Sequence, residues 1–148
     1  MSTPSAQNRR ATFDYEITET IEAGVVLIGQ EVKSIRQGHV RIAESYAQVI
    51  GNEMWLLNAY IQEYSHSSHI KIDPRRNRKL LLSRTQINRW MGRVREKGYT
   101  IVPMALYFSK NRVKIKLGLA KSKKLFDKRA TIKDREVKRE LDRARKRY

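Results

Sequence analysis

The plainest pattern in the chain is a period of two in its last third. Val113, Ile115, Leu117 and Leu119 alternate with Lys114, Lys116, Gly118 and Ala120, which predicts a strand with one buried face and one lysine-bearing face. Upstream, Tyr99 to Phe108 is strongly apolar and is interrupted by Pro103, a residue without an N–H that marks an edge or a bulge. Ser109-Lys-Asn-Arg112 turns one strand into the other. A second hairpin is predicted from Tyr46-Ala-Gln-Val-Ile50, the turn Gly51-Asn52, and Glu53-Met-Trp-Leu-Leu57. Phe13, Tyr15 and Ile17 alternate with Asp14, Glu16 and Thr18 as the start of a first strand. Ala23 to Ile28 continues it, with Gly24 marking a bend or bulge, and Ala59 to Tyr64 reads as a further short strand.

Two helices interrupt these strands. Gly29 to Gly38 frames the first, with Val32 and Ile35 on one face and Lys33 and Arg36 on the neighbouring one. Ser83 with Gln86 three positions on has the form of a capping box and opens the second. Ile87, Trp90, Met91 and Val94 then form its core stripe, Arg89, Arg93 and Lys97 its outer face, and Gly98 stops it. Between the hairpin and this helix lie a polar loop, Ser65-His-Ser-Ser-His69, and a basic turn from Asp73 to Lys79. Short strands joined by tight turns and interrupted by helices predict a mainly β fold, an OB-type antiparallel barrel with flanking helices.

Charge changes the picture at the C-terminus. The chain of 148 residues carries 32 Lys or Arg against 15 Asp or Glu, a formal net charge of +17. Residues 121–148 hold 13 of the bases and 5 of the acids, a net of +8 in less than a fifth of the length. Charge that dense, with so few apolar side chains, cannot offset the entropy lost on folding alone. The expected organisation is a loose N-terminus at 1–7, an RNA-binding barrel at 8–120, and a basic hinge and tail at 121–148 that is disordered until it meets a partner. Arg135, Arg139, Arg143 and Arg147 recur every fourth residue, so a helix there winds a basic stripe along one side.

A basic surplus selects polyanions as partners, nucleic acid first and an anionic membrane second. No apolar run approaches the roughly 20 residues of a membrane span, and Met1 to Thr12 lacks a signal-peptide core. The expectation is a cytoplasmic protein that engages no membrane. With no cysteine there is neither a disulfide nor a thiolate metal site. His66 and His69 lack an evident third ligand, and no GxSxG, P-loop, HExxH or GxGxxG occurs. No enzyme, metal or cofactor is expected. Basic patches, exposed rings and a rigid platform are what a nucleic-acid binder requires.

Several short motifs stand in a telling order: Asn8-Arg-Arg-Ala11, Glu22-Ala-Gly24, Gly29-Gln-Glu-Val-Lys-Ser-Ile-Arg36, Glu44-Ser-Tyr46, Arg78-Lys-Leu-Leu-Leu82, Gly98-Tyr-Thr100, Leu106-Tyr107, Val113-Lys114 and Asp127-Lys-Arg129. Their order and spacing resemble SmpB, the family that partners transfer-messenger RNA (tmRNA) in ribosome rescue. The resemblance implies an adaptor that binds the tRNA-like end of tmRNA and accompanies it, with elongation factor Tu and GTP, to a stalled ribosome. It also implies that the tail enters the empty messenger channel beyond the small-subunit decoding centre and folds there as a helix, the protein acting as a monomer.

By resemblance, the RNA-binding positions are Asn8, Glu22, Lys33, Arg36, Leu81 and Lys114. Charge and exposure alone nominate Lys33, Arg36 and Lys114. Glu22 and Leu81 rest on the resemblance, since an acid beside phosphate repels unless it bonds a base or ribose donor. Decoding-centre and tail contacts are expected from Lys123, Lys124, Phe126, Asp127, Lys128, Arg129, Arg135, Arg139 and Arg143, with the Phe126 ring stacking on a base. Ser122 stands where the family usually has glycine, and strain is expected there if the backbone needs a positive φ. From the residues alone, a general ribosomal or single-strand RNA-binding OB protein is the alternative.

Overall fold

The computed structural model describes residues 5–64, 71–96, 98–122, 136 and 138–139. The chain opens with β1 (Ala6–Gln7), α1 (Ala11–Asp14) and β2 (Tyr15–Val25). Then come α2 (Gly29–Arg36), β3 (Val40–Arg41), β4 (Tyr46–Ile50), β5 (Glu53–Leu57) and β6 (Tyr60–Ile61). β7 (Arg78–Leu81), α3 (Arg84–Arg95), β8 (Tyr99–Ser109) and β9 (Arg112–Ser122) complete it. Six strands pair in the cyclic order β8, β4, β5, β7, β2, β9 and back to β8, an antiparallel barrel of the OB kind. The ring is thinnest between β4 and β8, which share the single pair Ala47↔Ile101. β1 adds to the outside of β8, and β3 with β6 makes a separate two-stranded ribbon.

Both predicted hairpins form, each around a two-residue turn with positive φ at both positions, Gly51 (58°) and Asn52 (67°) in one and Lys110 (51°) and Asn111 (64°) in the other. That geometry matches the twist of the flanking strands and therefore fixes their register. The inner faces of the barrel meet in one apolar core. Ile35, Met54, Leu56, Leu80, Trp90, Leu106, Ile115 and Leu117 are each at most 1 % exposed. Burying a side chain of this size contributes roughly 1.5–3 kcal/mol. Ile35 comes from α2 and Trp90 from α3, so both helices are anchored in the barrel's own core.

The structure departs from the hydrophobic pattern at several places. Phe13 lies in α1, and the strand expected to start there is β2, which begins at Tyr15. The irregularity in β2 falls between Ile17 and Glu19, where the Thr18 hydroxyl donates to the Leu119 carbonyl at 3.0 Å. Gly24 keeps regular pairing on both sides. The predicted strand at Ala59–Tyr64 shrinks to Tyr60–Ile61. The outer face of β9 is lysine-bearing only in its first half. Gly118 and Ala120 instead pack under a satellite cluster of Ala11, Val102, Tyr15, Ile17 and Met104. Ile87 and Trp90 of α3 are buried as expected, whereas Val94 is exposed. Pro103 does mark a register shift in β8, and Ser83 does cap α3, accepting from Gln86 N–H at 3.1 Å. Ser122 is an ordinary extended residue paired with Tyr15, without positive φ. Lys97, the loop 65–70 and most of the tail lie outside the described residues.

Within the predicted basic turn Arg75 and Lys79 stay at the surface, but Arg78 is buried and, with the partly exposed Arg76, forms an ion cluster around Glu31. Arg78 is 0 % exposed, and its guanidinium donates to Glu31 Oε2 from Nε (2.9 Å) and Nη2 (2.6 Å), and to the Pro74 carbonyl (2.9 Å). It also bonds the Ala59 carbonyl. Arg76 donates to both Glu31 oxygens. Ile28, which cannot cap α2 with its own side chain, donates its backbone N–H to Glu31 Oε1 at 3.2 Å. One carboxylate thus closes the first turn of α2 and binds that helix to β7 and the chain before it. Burial alone pushes the Glu31 carboxyl up, but the hydrogen bonds from Arg76, Arg78 and Ile28 outweigh it and hold the group below its ordinary 4.5.

Removing one partner of such a cluster strands a buried charge. Arg78→Met is expected to lower stability by about 3–5 kcal/mol, read from urea unfolding. Because the folded-state carboxyl titrates below the unfolded one, its contribution is complete above pH 4.5 and is lost as the pH falls through the folded value. Glu31→Gln should remove that part of the acid sensitivity, so its stability falls less steeply than wild type on acidification.

Candidate nucleic-acid interface

Register assembles the outer face. In antiparallel pairs, residues directly opposite point to the same side of the sheet. Gly24 of β2 lies opposite Leu81 of β7 and opposite Lys114 of β9, and Lys114 lies opposite Tyr107 of β8. Leu81, Gly24, Lys114 and Tyr107 therefore form one row across four strands. The next row holds Glu22, Lys116 and Ala105. Among the described residues neither Lys114 nor Lys116 has an ion-pair partner, so both charges are available to phosphate.

Gly24 is what lets the row close up. A Cβ there would meet the Leu81 Cβ at 3.2 Å, so glycine lets the two strands come together beneath the Leu81 side chain. Leu81 is 54 % exposed, unusual for a leucine in a central strand. Beside it is a concavity of about 250 Å³ lined by Gly24, Leu27, Val32, Leu81, Val113 and Lys114. Val32 belongs to α2, so helix and barrel share this hollow. α2 is held by Ile35 in the core, by Glu31, and by the Ser34 hydroxyl, which donates to the Gln62 carbonyl at 2.7 Å. Its exposed side carries Lys33, whose ammonium lies 5.3 Å from the Tyr64 ring, and Arg36, 5.1 Å from the Phe108 ring. Stacked on rings, both cations are steadied without being neutralised.

Of the six expected RNA-binding residues, Glu22, Leu81 and Lys114 come together on adjacent rows of the barrel. Lys33 and Arg36 share the helix next to them. Asn8 does not join this group. It lines a separate concavity of about 610 Å³ with Arg10, Asp14, Tyr15, Tyr46 and Thr100. Its side-chain amide donates to the Pro103 carbonyl at 3.1 Å, satisfying a backbone group at the β8 bulge. Of the expected tail contacts, only Arg139 is described, helical and exposed. Lys123, Lys124, Phe126, Asp127, Lys128, Arg129, Arg135 and Arg143 lie outside the described residues.

The structure also brings forward residues that charge alone did not. Tyr107 donates its hydroxyl to Glu22 Oε2. Arg41 and Arg75 both stack on Tyr60, 4.9 and 5.4 Å from its centroid. The Tyr107 position was derivable: counting back from the two-residue turn at Lys110-Asn111 places it opposite Lys114. The Tyr60 cluster had no local signal, because β3 and the loop before β7 meet there only in three dimensions.

A closed β-barrel with unpaired lysines in register on one outer face, flanked by a cation-bearing helix, defines a nucleic-acid-binding barrel of the OB class. The family model described as SmpB protein matches residues 5–147. The chain belongs to this family. The SsrA-binding protein of Caulobacter vibrioides is 52 % identical over 147 residues, covering 99 % of this chain and 97 % of that one. The SsrA-binding protein of Anaeromyxobacter dehalogenans strain 2CP-C is 49 % identical over 140 residues, covering 95 % and 86 %. A solved chain from a structural study of tmRNA–SmpB at the centre of the bacterial ribosome superposes with a TM-score of 0.67 at 48 % identity. That match covers 80 % of this chain and 84 % of the other.

Two glycines separate close approach from mere freedom. Gly24→Ala is expected to cost about 1–3 kcal/mol in urea unfolding, because the Leu81 Cβ cannot yield without moving β7. Gly29 has nothing within 4 Å of an added Cβ and opens α2 without positive φ. Gly29→Ala should be neutral or stabilising by up to about 1 kcal/mol.

Proposed function

We propose that this protein binds the tRNA-like part of tmRNA through the outer face of its barrel and acts as the adaptor that brings tmRNA to stalled ribosomes in trans-translation. The observation that carries the reading is the near full-length likeness to SsrA-binding proteins, coupled to a surface built for RNA: Lys114 and Lys116 unpaired, Leu81 exposed, and Lys33 and Arg36 beside them. Folded RNA is recognised through its shape and its phosphate and 2′-hydroxyl groups, with bases read where they are unstacked. Cations supply the phosphate contacts, the apolar Leu81 packs against an exposed base, and Glu22 accepts from an RNA donor.

The division of labour follows the charge. The barrel grips tmRNA, while residues 121–148 form a second, denser cationic element. The tail folds as a helix in the vacant messenger channel, with Phe126 and Asp127-Lys-Arg129 at the decoding centre and Arg135, Arg139 and Arg143 along the channel wall. A channel filled by intact message excludes it, which restricts rescue to stalled ribosomes. Delivery with elongation factor Tu and GTP, monomeric action and a cytoplasmic location complete the proposal. Among the described residues no helix is long and apolar enough to cross a membrane.

Deleting residues 130–148 should leave binding to tmRNA within about threefold of wild type while abolishing tagging of stalled peptides. Equal loss of both would contradict the division. Lys114→Ala should weaken tmRNA binding and lower the slope of log K against log salt by about one. An unchanged slope removes Lys114 from the phosphate contacts.

A further inference from the structure

Glu22 poses a chemical problem on a face built for phosphate. It lies opposite Lys116 and one row from Lys114, yet it forms no ion pair with either. Its hydrogen bond is instead with Tyr107, and among the described residues its other oxygen, Oε1, has no partner. The two side chains start two strands apart, a span of roughly 9–10 Å at ordinary strand spacing. Tyr107 stands on β8 opposite Lys114, and Glu22 stands on β2 opposite Lys116. The phenol therefore reaches diagonally across β9, between the two lysines.

We infer that Tyr107 is a positioning residue: it fixes the Glu22 carboxylate so that Oε1 faces outward as a hydrogen-bond acceptor for a donor group on the RNA, either a base amino group or a ribose 2′-hydroxyl. An acceptor in the middle of a cationic face rejects a phosphate oxygen and admits only a donor, so the pair reads register on the RNA where the lysines supply attraction. A loose glutamate would swing onto Lys114 or Lys116 and neutralise a phosphate contact. The phenol holds it off both. Burial first, and then the bond to Glu22, push the Tyr107 hydroxyl up to about 12, so it remains a donor throughout the physiological range. The inference rests on the reading of Glu22 as part of the tmRNA surface.

The test is a double-mutant cycle on the full chain, with binding to the tRNA-like domain of tmRNA measured for wild type, Tyr107→Phe, Glu22→Ala and the double variant. Tyr107→Phe keeps the ring, and circular dichroism checks that it keeps the fold. Losing one hydrogen bond that orients a charged acceptor should weaken binding about fivefold to tenfold in wild type. In the Glu22→Ala background the same change should have no effect beyond twofold. RNA carrying single 2′-deoxy substitutions, and RNA with inosine for single guanosines, identifies the donor. One of these series should contain a position that weakens wild type but not Glu22→Ala. Equal loss from Tyr107→Phe in both backgrounds, no loss in wild type, or neither RNA series showing such a position overturns the inference. Wild-type affinity in Glu22→Ala overturns the reading of Glu22 as well, while Lys114→Ala continues to report on the surface independently.

Discussion

A single buried carboxylate determines where the helical half of the proposed RNA surface stands. Glu31 accepts from Arg78, from Arg76 and from the backbone of its own helix start. It thereby joins α2, the chain before β7 and β7 itself at one point. Desolvating three charged groups is costly, and an apolar trio of similar volume is often as stable or more so. What the cluster offers is direction. Arg78 distributes its donors between Glu31 and the Ala59 and Pro74 carbonyls, so the geometry admits one placement of α2 relative to β7. Lys33 and Arg36 inherit that placement.

The barrel half of the surface depends on register. Two tight turns fix how β4 meets β5 and how β8 meets β9, and the long pairing of β9 with β2 carries the register round to Gly24. From there Leu81, Gly24, Lys114 and Tyr107 fall into line. A slip of one residue in β9 would turn Lys114 and Lys116 inward and bring Ile115 and Leu117 out. The same alternation that builds the core therefore builds the cationic face, and neither can change without the other. The cationic face on this side of the molecule is a by-product of correct packing, plus one glycine that brings β2 and β7 close.

Much of this was legible in the chain, and the physical reasons differ from place to place. Hairpins with two-residue turns and a period of two are local signals, so β4–β5 and β8–β9 could be read directly. The capping box at Ser83 was equally local. Arg78 is legible in the chain only as one base of a basic turn, because nothing in Asp73-Pro-Arg-Arg-Asn-Arg-Lys79 says that its partner lies at Glu31, 47 positions away. Gly24 was expected to bend the strand and instead lets another strand come near, a distinction that only tertiary structure makes. Phe13 joined a one-turn helix for which Ala11, buried under the satellite cluster, is the anchor rather than any alternation. Glu22 and Leu81 were identified by likeness to a family, and the structure supplies their neighbours: Tyr107 for one, and the hollow shared with Val32 and Lys114 for the other.

The most direct test of the Glu31 account is native-state hydrogen exchange in Glu31→Gln, which keeps the side chain's shape while removing its charge. The account predicts selective loss of protection at the α2 amides, with the amides of β8 and β9 protected as in wild type. Protection of α2 that is unchanged, or that falls only in step with the whole barrel, would mean that the carboxylate does not hold the helix in place.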